Sequence, residues 1–116
     1  MTIGGVVTED DVRRAALALP GTSEKPSYGT PGFRVGGKLF ARLRGDGSLL
    51  VVVADESEKH ALIAADPDRF FTTAHYDGYA SVLVRMAAVD LDGLADVLLE
   101  AWRLRAPAAL VAEFDG

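Results

Sequence analysis

The sequence predicts an α+β fold, an antiparallel sheet with helices packed on one of its faces. Three observations carry that expectation. Turn-forming glycines separate short apolar runs at Gly36-Gly37 and again in "RGDG" (44–47), so the strands come as hairpins. Apolar residues recur at helical spacing near both ends of the chain, each time behind residues suited to a helix cap. The resulting order, α-β-β-β-α-(β)-β-α, does not alternate strand with crossover helix as a parallel sheet would.

The first helix is read in "TEDDVRRAALALPG", where Thr8 and Asp11 have the spacing of a capping box. Val12, Ala15, Ala16 and Leu19 form its apolar stripe, and Pro20-Gly21 stops it. "TSEKPSYGTPG" reads as a polar loop containing Glu24 and Lys25. Phe33 to Val35 then pairs with Leu39 to Leu43, and Leu49 to Val53 has the continuous apolar look of a central strand. Asp55 and Glu58 open a second helix that runs to about Ala65, before Asp66-Pro67. "RFFTTAHYDGY" is a short strand or irregular segment, and Ala80 to Met86 is a further strand. Asp90 caps the longest helix, which runs to Arg105 with Leu91, Leu94, Ala95, Leu98 and Trp102 as its stripe. Pro107 suits the first turn of a short terminal helix.

A length of 116 residues, 49% of them hydrophobic, predicts one domain spanning residues 1–116 with its own core. Zero cysteines exclude disulfides, thiolate nucleophiles and cysteine-ligated metals. No apolar run approaches the ~20 residues of a membrane helix. "MTIGGVV" has no basic leader region, so a cytoplasmic protein without a membrane partner is expected. The net charge of −5 argues against strong, non-specific binding of nucleic acid. Against that balance, "GFRVGGKLFARLRGDG" (32–47) sets Arg34, Lys38, Arg42 and Arg44 against Asp46 alone, a local charge of +3.

"LPGTSEKPSYGTPGFRVGGKLFARL", "FFTTAHYDGYASVLVRM" and "LLEAWRLRAPAALV" resemble the MmcQ/YjbR family over nearly the whole chain. The resemblance rests on the Leu-Pro-Gly-x-x-Glu start, the Phe-Arg-Val-Gly-Gly-Lys hairpin and the Ala-Trp-Arg-Leu helix. It implies a fold similar to that of frataxin (CyaY-like), and a DNA-binding role, the label the family widely carries. The family often has a Trp entering the fifth strand, where this chain has Tyr79.

Strand alternation leaves two hairpin registers open. A two-residue turn sets Val35 opposite Lys38 and parts Arg34 from Arg42. If Lys38 joins the turn, Phe33, Val35, Leu39, Ala41 and Leu43 share one face, while Arg34, Phe40, Arg42 and Arg44 share the other. The second segregates better and is preferred. On the later strand Tyr79, Ser81, Leu83 and Arg85 alternate with Ala80, Val82, Val84 and Met86. The predicted contact set is therefore Arg34, Lys38, Arg42, Arg44 and Arg85 for phosphates, with Tyr79 or Phe40 stacking.

Other chemistry finds little support. His75, Tyr76 and Asp77 could do acid–base work only if their side chains converged, and turn stabilisation is the simpler expectation. His60 lies on a charged helix face. Glu9, Asp10 and Asp11 could hold a cation but are explained by helix capping. No serine sits in a nucleophile elbow, and Gly36-Gly37 is not a phosphate loop. The expectation is a non-catalytic domain without cofactor or metal, binding DNA weakly through its open sheet face. The alternative is a small anionic ligand or a protein on that same face.

Overall fold

The computed structural model describes residues 7–116; the stretch read above for a leader lies mostly outside them. Helix α1 (Glu9–Leu17) begins as its sequence dictates. The Thr8 hydroxyl accepts from the Asp11 amide at 3.1 Å, and the Asp11 carboxylate accepts from the Thr8 amide at 2.9 Å. Two N–H groups that the first turn would leave unpaired are thereby satisfied. The Thr8 backbone bond holds the Asp11 carboxyl below its usual range.

Six strands follow, β1 (Thr22–Ser27), β2 (Thr30–Val35), β3 (Lys38–Leu43), β4 (Ser48–Val52), β5 (Phe70–Phe71) and β6 (Ser81–Arg85). They form one antiparallel sheet in the order β1-β2-β3-β4-β6-β5. The polar segment expected as a loop is thus a strand and a turn. Tyr28 and Gly29, at φ 53° and 81°, make a two-residue turn that closes on Ser27 and Thr30. Positive φ at both central positions matches the right-handed twist of the flanking strands. Pro26 and Pro31 obscured this hairpin in the sequence. They oppose each other one step from the closing pair, where backbone N–H groups point away from the partner strand, so neither ring removes a bond of this ladder.

The central hairpin combines the two expected registers. Gly36-Gly37 is a two-residue turn, with Val35 opposite Lys38 and Arg34 opposite Leu39. A bulge then inserts Phe40, so that Phe33 faces Ala41 and Gly32 faces Arg42. The extra residue shifts alternation by one step. Arg42 therefore returns to the same side as Arg34, as the preferred register required. Three expectations are corrected. The bulge leaves Phe40 fully buried in the core rather than on the open face. The two-residue turn before it sets Leu39 on the open side with Arg34, and Lys38 on the side of Val35, at the exposed turn.

Helices cover one side of the sheet. α2 (Glu56–Ala65) packs on β5 and β6, and α3 (Leu91–Arg105) packs on β3, β4 and α1. Asp55 and Asp90 cap them through the amides of Glu58 and Gly93. The buried stripe of α3 is Leu94, Leu98, Ala101 and Trp102; Leu91 and Ala95 are exposed, one turn-face away from the sheet. Trp102 is fully buried, and its indole N–H donates to the Pro20 carbonyl at 2.9 Å, which fixes the chain where α1 ends. α4 (Ala108–Asp115) folds back so that Phe114 meets Trp102, with ring centroids 5.2 Å apart. No helix among the described residues is long and apolar enough to cross a membrane.

Candidate anion-binding groove

The side of the sheet away from α1 and α3 carries a groove of about 1070 Å³. Its floor holds Leu39, Arg42, Leu50 and Ser81, and its walls carry Tyr28 on one side and His75, Tyr76 and Tyr79 on the other. Arg42, Leu50 and Leu83 form one cross-strand row on β3, β4 and β6. Phe33 opposite Ala41 and Leu43 opposite Leu49 are core pairs, so alternation sends Arg42 and Arg44 to the open side.

Arg42 is the centre of the site. One guanidinium nitrogen donates to the Thr30 hydroxyl at 3.1 Å, and another donates to the Tyr76 hydroxyl at 3.0 Å. The guanidinium carbon lies 5.4 Å from the centroid of the Tyr28 ring. Among the described residues no carboxylate comes within ion-pair distance of it. Two hydroxyls and a ring face orient the cation without neutralising it, and several of its five N–H donors stay free for an anion. Arg44 differs. It lies over the Tyr76 ring at 5.6 Å but is paired with Asp46 at 3.2 Å. The Ser48 hydroxyl, assisted by its amide, holds the Asp46 carboxyl below the ordinary range, so the pair persists at neutral pH.

The wall of the groove is clamped from beneath. Lys59 of α2 is 1% exposed, and its Nζ donates to the carbonyls of Tyr76 at 2.6 Å and Tyr79 at 3.1 Å. The single helical turn Ala74–Tyr76 sits between β5 and β6, and Lys59 ties it to α2. His75 packs edge-on to Tyr76, with centroids 4.8 Å apart.

Of the residues singled out in the sequence, Arg34, Arg42, Arg44 and Tyr79 lie on the open side, with Tyr79 62% exposed at the rim. Arg85 is on that side too, but it turns outward. It donates to the carbonyls of Pro67 and Asp68 and lies 4.1 Å over the Phe71 ring. Lys38 is at the turn, on the other side. Asp77 is not among the residues lining the groove, so His75, Tyr76 and Asp77 make no acid–base cluster there. His60 pairs with Glu56 at 3.1 Å. Asp10 pairs with Arg13, and Asp11 is taken up by the cap and Arg14. Among the described residues no three potential ligands gather as a metal site. Sequence reasoning missed Tyr28 and Lys59. Tyr28-Gly29 between paired segments was the readable signal for the first, and nothing local marks the second.

Charge divides along the sheet. Glu24 is the sole acid within β1–β3; it opposes the core residue Phe33 and accepts two bonds from Arg13 of α1, at 2.7 and 3.2 Å. The helix side has its own cleft, of about 390 Å³, between α2 and α3, bordered by Glu58, Asp96 and Glu100.

A family model, YjbR, matches residues 17–104. The chain belongs to the YjbR family. The match takes in the central hairpin, the 74–81 segment and Trp102, and so the whole groove. Uncharacterized proteins of Mycobacterium bovis and Mycobacterium tuberculosis are each 38% identical to this YjbR chain, over 94% of it and 96% of the relative. A crystal structure of a Deinococcus radiodurans protein with the family-model domain DUF419 superposes with a TM-score of 0.75. It covers 95% of this chain and 89% of its own at 22% identity, a likeness of fold.

Proposed function

We propose that this YjbR protein binds nucleic acid weakly and without catalysis, through the open side of its sheet. The observation that carries the reading is Arg42, a guanidinium held between Tyr28 and Tyr76 with no acid beside it among the described residues. Arg34 on β2 and the partly neutralised Arg44 extend the positive strip along the backbone path of a bound strand. Phosphates supply the attraction and aromatic faces supply contact that every base can use. Weakness follows from the net charge of −5, carried largely by the helices, which opposes approach from any other direction. A small anionic ligand is the second reading, favoured by the concave shape of the groove. In the nucleic-acid reading two or three phosphates are neutralised, so log K should fall with log salt at a slope of about −2 to −3. Anisotropy of a labelled strand and its duplex across a salt series measures it. A flat dependence, or no binding at low salt, rejects the reading.

A further inference from the structure

We infer that the groove takes unpaired nucleotides, with a base stacked on Tyr28 and its phosphate on Arg42, so that single strands are preferred to duplex. The inference rests on the nucleic-acid reading and narrows it.

Tyr28 carries the argument. It is the one residue other than glycine with positive φ among the described residues, at 53°. The left-handed region disfavours a side chain with a Cβ, and Gly or Asn would occupy this turn position with less strain. Such conformations persist where the surroundings hold them, yet Tyr28 is 92% exposed. Its ring meets the Arg42 guanidinium, 5.4 Å from its centroid, a contact that belongs to the groove. Such outliers gather at ligand sites. The Arg42 guanidinium packs against this ring, so a base stacked on Tyr28 would leave its phosphate within reach of the one unneutralised cation of the groove.

The rest of the groove suits the same ligand. Tyr79 and His75 offer further ring faces across a floor of Leu39 and Leu50. In a duplex the base faces are already stacked on one another, and only phosphates would meet this surface. The tyrosines would then be idle, and three arginines, one of them paired with Asp46, are few for duplex binding by charge alone. Unpaired bases use both parts of the site.

The test compares a labelled mixed-sequence strand, its duplex and thymidine monophosphate with the wild type, Tyr28→Gly and Tyr28→Phe. The strand should bind at least about tenfold more tightly than the duplex at the same salt. Tyr28→Phe should keep that preference and Tyr28→Gly should abolish it. Because glycine relieves the positive φ, Tyr28→Gly should melt no lower than the wild type. Tyr28-dependent binding of the monophosphate, as tight as that of the strand, would also support the base-and-phosphate site and identify free nucleotides as its source. Equal affinity for strand and duplex, or full affinity in Tyr28→Gly, would overturn the inference and leave the broader reading standing. A lower melting temperature for Tyr28→Gly would overturn it too, by showing that the ring serves the fold. No binding to strand or duplex would remove both.

Discussion

Lys59 shows how one residue can matter beyond its own helix. Its stem runs beneath the 74–80 segment, and its amine meets two carbonyls, that of Tyr79 and that of Tyr76, which also accepts from the Tyr79 amide. Lys59→Met keeps most of the apolar stem and removes the donor. Hydrogen bonds to a charged group are worth about 1.5–3 kcal/mol, so a loss near 2 kcal/mol is expected in chemical denaturation. Amide exchange should quicken in residues 74–80 more than in β2 to β4. A variant as stable as the wild type, with unchanged exchange, would mean that Lys59 does not hold the wall. The sequence could not reveal this contact. Helical spacing places Lys59 among Glu56, Glu58 and His60, and nothing local indicates that a loop seventeen residues on will supply its acceptors. Thr8, Asp55 and Asp90 were legible for the opposite reason, because a cap bonds within three residues of itself.

At the scale of elements, legibility follows the same division between local and distant causes. The Gly36-Gly37 and "RGDG" turns could be read, because positive φ has few residue solutions. The hairpin of β1 and β2 was hidden by Pro26 and Pro31, which suggest a loop until their place in the ladder is known. The bulge at Phe40 was hidden as well. Alternation alone gives either register, and only packing against α3 decides that Phe40 and Ala41 both turn inward. That decision sets Arg34 and Arg42 on one side and thus makes the groove. The turn joining β3 to β4 adjusts its charge. With its folded pKa depressed by Ser48, Asp46 contributes stability above the ordinary carboxylate value of ~3.9, lost as pH falls through the lower folded value. Anion affinity should therefore take no pH dependence from this pair above about pH 5. Asp46→Asn frees Arg44, and an exposed pair of this kind is worth ~0.2–1 kcal/mol. A gain of about two- to fivefold in affinity at low salt is expected, fading as salt screens it. Unchanged or weaker binding in a titration at low salt would exclude Arg44 from the site.

The whole molecule is a sheet with two unlike sides. On one, α1, α2 and α3 bury the core, each with a net negative charge; on the other, cations and tyrosines face outward around the groove. Trp102, bonded to Pro20 and packed on Phe114, ties the end of α1 to α4 beneath the sheet. The central claim is one of place: the ligand lies on the sheet and not among the helices. Amide shifts of the nitrogen-labelled protein, followed as a single strand is added at low salt, test it most directly. The largest changes are expected at Tyr28 to Thr30, Arg42 to Arg44 and residues 75–81, while the outer faces of α1 and α3 stay unmoved. Changes gathered instead about Glu58, Asp96 and Leu104, in the cleft between α2 and α3, would contradict the account, as would a spectrum that does not move at all.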